Sequence, residues 1–131
     1  MAAAACQVRV RYAETDKMGV AYYANYFVWF EVGRCELLRT LGGSYSQLEE
    51  TGLLLPVIDA QCNYQAPARY DDVLTIATTG TLKSRARVKF SYQVSRQPTN
   101  ELLASGITVH AATDPRGRPQ RVPPRLQALL A

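Results

Sequence analysis

The sequence has few of the residues on which many enzyme sites depend. Its 131 residues include one histidine and three cysteines (Cys6, Cys35 and Cys62), and no two of these cysteines have metal-ligand spacing. It contains neither a glycine-rich phosphate loop nor the G-x-S-x-G pattern of serine hydrolases. The sequence therefore argues against a metal centre, a nucleotide-binding loop and a serine nucleophile.

Long apolar runs are also absent. No stretch approaches the roughly 20 apolar residues of a membrane-spanning helix. The alanine run at 2–5 is too short for the apolar core of a secretion signal and no basic segment precedes it. An odd number of widely spaced cysteines is typical of free thiols in a reducing compartment. We therefore expect a soluble cytoplasmic protein without a membrane span.

The bulk composition indicates a folded globular chain. Hydrophobic residues make up 47% of the sequence and charged residues 20%, which excludes the disordered class. The length predicts one domain over 1–131. The net charge of +4 is compatible with anionic ligands and is too small to indicate nucleic-acid binding by itself.

The periodicity of apolar residues predicts an α+β fold. Alternation predicts a first strand over 7–12, and a helical pattern follows over 26–41, with Asn25 as its N-cap. A shorter helix is predicted over 44–51, capped by Ser44 or Ser46. Four strands then follow over 54–66, 72–82, 83–96 and 101–113, with a short helix at 125–130. Strands grouped after a helix favour an antiparallel sheet, which we expect to enclose the aromatic helix.

Asp16 lies in a short polar loop directly before a dense aromatic segment. A helix N-terminus offers unpaired backbone N–H groups and a partial positive charge, which can hold the oxygen of a carbonyl under attack. A carboxylate beside such a helix end could attack that carbonyl or accept a proton from water. The alternative is an ordinary aspartate at a turn or helix entry.

The run Asp16-x-x-Gly19-x-x-Tyr22-x-x-Asn25-Tyr26, after a strand and leading into an aromatic helix, carries a family resemblance. It resembles the acyl-CoA thioesterases of the hotdog fold, most closely the 4-hydroxybenzoyl-CoA thioesterase family with its bacterial YbgC-type branch. The similarity extends along nearly the whole chain. It implies an antiparallel sheet wrapped around one long central helix, and hydrolysis of a thioester to a free acid and coenzyme A.

The resemblance also implies roles for individual residues. Asp16 matches the catalytic carboxylate, a nucleophile or a general base, and the backbone N–H of Tyr23 matches the group that polarises the thioester carbonyl. Gly19 and Tyr22 match the turn that shapes the substrate pocket, and Asn25 belongs to the same substrate-binding motif. Part of the family has a histidine where this chain has Tyr23, so a histidine-assisted mechanism is in doubt here.

The resemblance further implies that coenzyme A enters as part of the substrate and that no metal or other cofactor is needed. The family forms dimers of hotdogs and often tetramers, with active sites built across two subunits. The sequence leaves open the acyl group, the choice between an anhydride intermediate and direct attack by water, and the choice between dimer and tetramer. A non-catalytic module that binds acyl-CoA or acyl-carrier protein on the same fold remains an alternative.

A basic face runs along one predicted strand, with Lys83, Arg85, Arg87 and Lys89 at alternate positions. The common interpretation is a solvated strand face whose charges discourage aggregation. The functional interpretation is a cradle for the phosphates of coenzyme A, to which Arg85 and Arg87 would contribute, in the same or a neighbouring subunit. Aromatic residues do not alternate with these charges at exposed positions, which disfavours nucleic acid as a partner.

Two further titratable residues are predicted to be structural. His110, the only histidine, lies on a strand far along the chain from Asp16. Glu14, two residues before Asp16, is expected to end the first strand as a solvated or ion-paired group. We do not assign His110 to catalysis, and a paired-carboxylate role for Glu14 beside Asp16 is the less favoured alternative.

Overall fold

The computed structural model describes residues 1–42 and 45–131 of the chain. Its strands are β1 (Ala2–Arg9), β2 (Val57–Tyr64), β3 (Val73–Ser84), β4 (Arg87–Arg96) and β5 (Glu101–Ala111). Its helices are α1 (Asn25–Thr40), α2 (Tyr45–Glu50) and α3 (Pro124–Leu130). Gly43, which follows the first predicted helix, and Ser44, a predicted cap of the second, lie outside the described residues.

The five strands form one antiparallel sheet in the order β1-β3-β4-β5-β2. The strands β1 and β2 therefore lie at its two edges. Apart from Cys62, every residue of β2 is exposed. The predicted α+β arrangement, with an antiparallel sheet and one long helix, is confirmed.

The aromatic helix α1 packs one face, whose residues recur at the 3.6-residue helical period, on the sheet. Tyr26, Phe30, Gly33 and Leu37 are all buried, and the ring of Phe30 stacks on Tyr92 of β4 with centroids 4.3 Å apart. Burying such rings is a large hydrophobic gain, and the parallel stacking gives α1 a fixed register on the sheet. The core therefore lies between α1 and the inner face of β1, β3, β4 and β5.

Gly33 allows α1 to approach β3 closely. A Cβ atom added at this position would lie 2.4 Å from Thr78 Oγ1 and 2.8 Å from Ile76 Cγ2. No side chain fits in that space without displacing the helix. A small residue at this position thus determines how closely the helix and the sheet pack.

Two local predictions were wrong. The first strand spans Ala2–Arg9 instead of 7–12, because it pairs residue by residue with Val73–Gly80, and alanines carry no visible alternation. Asn25 is the first residue of α1 and not its N-cap, which is Ala24. The Asn25 side chain instead donates to the carbonyl of Glu14 at 2.8 Å, so a tertiary contact replaces the predicted local one.

Candidate active site

Asp16 begins a tight turn between two paired residues. Thr15 and Ala21 form an isolated antiparallel bridge, and the Asp16 N–H donates to Val20 O at 2.9 Å. The turn closes with the Gly19 N–H donating to Asp16 O at 3.0 Å, and Gly19 adopts a φ of 81°. Glycine reaches this left-handed conformation without steric cost, so Gly19 makes the turn possible.

The Asp16 carboxylate is half-buried and only partly hydrogen-bonded. Its Oδ1 accepts the Met18 N–H at 2.9 Å, which orients the side chain. Its Oδ2 accepts no hydrogen bond from any residue that the structure describes. One oxygen is therefore held in place while the other can act on a ligand.

Glu14 anchors the start of α1 to this loop. Its backbone carbonyl accepts the Tyr22 N–H and the Asn25 side-chain amide, each at 2.8 Å. Its carboxylate is buried, accepting Trp29 Nε1–H at 3.1 Å and the Arg11 N–H at 2.8 Å, with the Arg11 guanidinium at 3.4 Å. Glu14 is thus ion-paired as predicted and buried rather than solvated, which gives it a structural role.

The Tyr23 backbone N–H is an unused donor at the helix entry. Tyr23 precedes the first residue of α1 by two positions, and its carbonyl accepts the Tyr26 N–H at 3.3 Å. Its own N–H meets no acceptor within residues 1–42 and 45–131. A free N–H at the positive end of a helix is suited to hold a developing negative charge on oxygen.

Asp16 and Tyr23 line the same pocket, which has a volume of about 320 Å³. Much of its wall is aromatic, since the rings of Tyr26 and Tyr64 meet edge-on with centroids 5.0 Å apart. The remaining lining residues are Met18, Val20, Ala21, Gln65, Ala66 and Pro67. The structure therefore brings the predicted carboxylate and the predicted backbone donor to one cavity.

The other predicted residues of the motif hold the turn and the helix entry through hydrogen bonds. Gly19, Tyr22 and Asn25 are not among its lining residues. The Tyr22 side chain is exposed, and its ring packs against that of Tyr23 with centroids 4.8 Å apart. Each of the three makes a backbone or side-chain hydrogen bond that fixes the turn.

Arg85 and Arg87 lie far from this pocket in the same chain. Arg85 lies in the turn between β3 and β4, and Arg87 is the first residue of β4. The predicted strand over 83–96 is therefore divided by this turn, and its basic face does not lie on one strand. The pocket lies near the opposite ends of β3 and β4. Strands of 12 and 10 residues at ~3.3 Å per residue separate the two ends by roughly 30 Å. Within one chain the structure does not bring these arginines to the site.

Sequence reasoning missed the wall formed by residues 64–67 and its support. The Arg96 guanidinium donates to the Pro67 carbonyl at 3.2 Å and to Asp72 Oδ2 at 2.6 Å, and it pairs with Glu101 at 3.1 Å. The Tyr26 hydroxyl accepts the Ala68 N–H at 3.1 Å. These contacts join distant segments, so no local pattern in the sequence could reveal them.

His110 is buried away from the site, in agreement with its predicted structural role. Its Nδ1 lies 2.8 Å from Leu55 O and its Nε2 lies 2.9 Å from Thr108 Oγ1. Burial lowers the pKa of His110 to about 4, so the ring is neutral at physiological pH.

Within the described residues, no three His, Cys, Asp or Glu side chains cluster as metal ligands would. No described helix has the length and apolarity to cross a membrane.

Comparisons with known proteins agree with the predicted fold and family. The model of the thioesterase superfamily matches residues 18–103. The chain is 37% identical over 108 residues to YneP of Bacillus subtilis, covering 82% of this chain and 78% of YneP. It is 32% identical over 122 residues to the acyl-CoA thioester hydrolase YbgC of Escherichia coli, covering 92% and 90% of the two chains.

A solved structure extends the agreement to three dimensions. The DHNA-CoA thioesterase of Staphylococcus aureus superposes with a TM-score of 0.87 at 34% identity, covering 92% of this chain and 81% of that one. The fold predicted from the resemblance, a sheet around one long helix, is therefore the fold of known thioesterases. With a match to the family model over most of its length and relatives above 30% identity, the chain belongs to the thioesterase superfamily.

Proposed function

We propose that this protein hydrolyses acyl-CoA thioesters to a free acid and coenzyme A, with Asp16 as nucleophile or general base and the Tyr23 N–H as oxyanion donor. One observation carries the proposal: Asp16, which has an unused carboxylate oxygen, and Tyr23, which has an unused backbone N–H, line the same pocket. The activity of relatives such as Escherichia coli YbgC supports the reaction class.

Two routes fit these groups. In the covalent route, Asp16 Oδ2 attacks the thioester carbon and the C–S bond breaks. Coenzyme A leaves as a thiolate that takes a proton from water, and a second water hydrolyses the mixed anhydride. In the direct route, Asp16 removes a proton from water as the oxygen of that water attacks the thioester carbon. The C–S bond then breaks, and the coenzyme A thiolate takes up the proton held by Asp16. In both routes the carbonyl oxygen becomes negative next to the Tyr23 N–H, which lowers the barrier by roughly 2–4 kcal/mol.

Thiol release from a panel of aromatic, short-chain and long-chain acyl-CoAs tests the proposal. We expect at least one thioester to release coenzyme A well above background. Binding of an acyl-CoA without release would instead favour a non-catalytic binding module. Because the proposed groups are a carboxylate and a backbone amide, the rate should not change after dialysis against a chelator.

Single-turnover hydrolysis in oxygen-18 water tests the covalent route. Label in the Asp16 carboxylate, detected by peptide mass spectrometry, indicates that water attacked the aspartyl carbon of an anhydride. Direct attack by water, and attack of water at the acyl carbon of the anhydride, both leave Asp16 unlabelled. Absence of label therefore excludes only attack at the aspartyl carbon.

The exposed edge strand β2 favours a homo-oligomer. Val57 and Ile58 on this strand are 47% and 48% exposed, and neither proline nor lysine interrupts it. An edge strand presents unpaired backbone groups that can pair with a second copy of the same strand. We expect a dimer formed through β2, and a tetramer built from two such dimers. Light scattering should show the mass of a tetramer, and the variant Ile58→Asp should reduce that mass. A wild-type monomer would refute the expectation.

Such an assembly gives Arg85 and Arg87 a possible role. Since about 30 Å separates them from the pocket of their own chain, they would contact coenzyme A phosphates bound to a neighbouring subunit. The double variant Arg85→Ala/Arg87→Ala should raise KM for an acyl-CoA and leave KM unchanged for the same acyl group on pantetheine, which lacks the nucleotide. An equal effect on both substrates would contradict this role.

We also place the protein in the cytoplasm. All three cysteines carry free thiols, which suits a reducing compartment. Cell fractionation tests this location, and recovery outside the cytoplasmic fraction would contradict it.

A further inference from the structure

Tyr64 connects the sheet edge to the helix entry. It is the last residue of β2, and its hydroxyl donates to the carbonyl oxygen of Tyr23 at 2.9 Å across a separation of 41 residues. Its ring also packs edge-on against Tyr23, with centroids 6.4 Å apart. No other described side chain holds the Tyr23 carbonyl.

The Tyr23 N–H lies in one peptide plane and the Tyr23 carbonyl lies in the next, and the two planes are joined at the Tyr23 Cα. In the first, the Tyr22 carbonyl accepts the Asn25 N–H at 2.9 Å, and in a trans peptide the Tyr23 N–H then points the opposite way. In the second, the Tyr23 carbonyl receives a long backbone bond of 3.3 Å from Tyr26 and the shorter bond from Tyr64. The Tyr64 hydroxyl is therefore the stronger restraint on the second plane.

We propose that Tyr64 is a positioning residue for thioester hydrolysis, whose hydroxyl holds the Tyr23 carbonyl and thereby aims the Tyr23 N–H at the substrate oxygen. The inference rests on the roles proposed above for Asp16 and Tyr23. An oxyanion donor is effective only when it is already oriented toward the charge that develops. Helix entries tend to fray, and α1 has no side-chain cap at its N-cap residue, so an external restraint at this point has a specific function.

The Tyr64 phenol is suited to act as a lasting donor. Partial burial raises its pKa above that of an ordinary tyrosine, so it keeps its proton throughout the working range of an enzyme. Since a phenol has one proton, donation to the Tyr23 carbonyl commits that proton. Tyr64 therefore acts on the substrate through Tyr23.

The variant Tyr64→Phe tests the role, because it removes the hydroxyl and keeps the ring contacts. We expect kcat to fall about tenfold, a fraction of the full effect of an oxyanion donor, with KM for the acyl-CoA unchanged. The matched control is Tyr70→Phe, since the Tyr70 hydroxyl bonds no residue in the described part of the chain and should leave kcat unaltered. A rise in KM at constant kcat would overturn the proposal, as would an unchanged kcat.

An infrared measurement reports the orientation directly. Benzoyl-CoA is bound to Asp16→Asn, which blocks turnover, and the stretching frequency of its thioester carbonyl is compared with that in solution. We expect a lowered frequency, and Tyr64→Phe in the same background should move it back toward the solution value. A merely structural role would not shift this band.

The outcomes separate the two proposals. If Asp16→Asn binds benzoyl-CoA and lowers the frequency equally with and without the Tyr64 hydroxyl, the positioning role is wrong and the proposed function stands. If Asp16→Asn turns over at the wild-type rate, or leaves the frequency at its solution value, the roles of Asp16 and Tyr23 are wrong and the inference falls with them.

Discussion

Two hydrogen-bonded networks in this molecule differ in how completely they are satisfied. In the core network, both ring nitrogens of His110 have partners, and the Tyr92 hydroxyl lies 2.6 Å from Thr108 Oγ1. In the site network, Asp16 Oδ2 and the Tyr23 N–H have no partner among the described residues. Because folded proteins satisfy their polar groups, unused capacity at a pocket indicates a place for a ligand.

The core network should make the fold sensitive to acid, which is the largest effect on stability that we predict. Since burial lowers the pKa of His110 from its ordinary 6.5 to about 4, the folded state favours the neutral ring. The stabilisation is fully present above pH 6.5 and is lost as the pH falls from 6.5 toward 4, by about 3 kcal/mol in all. Urea unfolding across this range measures the loss.

Carboxylates also titrate in this range, so a variant without the histidine is needed. His110→Gln keeps hydrogen-bonding atoms and cannot take up a proton. Its free energy of unfolding should fall less steeply between pH 6.5 and 4 than that of the wild type. The same slope in both proteins would mean that His110 is not the titrating group.

Glu14 and Asp16 offer a direct comparison, since they are two residues apart and differ in how many hydrogen bonds their carboxylates accept. Glu14→Gln should lower the free energy of unfolding by about 2 kcal/mol, because an amide N–H would face a buried donor from Arg11 or Trp29. Asp16→Asn should change it by less than about 0.5 kcal/mol, as at an ordinary partly exposed position. Chemical denaturation of both variants tests the contrast, and equal losses would remove it.

A smaller loss than that of Glu14→Gln is expected from removing one hydroxyl of the core network. Tyr92→Phe keeps the stacking on Phe30 and removes the hydroxyl that bonds Thr108 Oγ1 and interacts with Arg34, while Thr108 Oγ1 retains its bond to His110. The loss should be about 1 kcal/mol. Thermal denaturation with Tyr70→Phe as reference provides the measurement. A loss above about 3 kcal/mol would show that the network is more cooperative than its separate bonds suggest.

The local parts of the site could be predicted from the sequence. Asp16, Gly19 and Tyr23 lie within eight residues of each other, and the turn and helix entry that place them are local structures. The buried face of α1 also followed from its 3.6-residue period. Sequence reasoning thus reached the two groups that the structure brings to one pocket.

The parts that depend on tertiary contacts could not be predicted. Glu14 appeared to be a surface charge because its partner Trp29 is 15 residues away, and Tyr64 appeared to be a strand residue because its bond to Tyr23 spans 41 residues. The start of β1 depends on pairing with β3, not on its alanines. Each of these features depends on a contact with a residue that is distant in the sequence and becomes a neighbour only in the folded chain.

The catalytic role of Asp16 is the central claim, and turnover by Asp16→Asn measured alongside substrate binding tests it most directly. Asp71→Asn is the matched control, because Asp71 is exposed, pairs with Arg9, and has a φ of 68° that asparagine adopts readily. We predict that Asp16→Asn lowers thiol release at least about a thousandfold while its Kd for an acyl-CoA stays within a few-fold of the wild-type KM. Asp71→Asn should remain fully active. Wild-type turnover by Asp16→Asn would contradict the account.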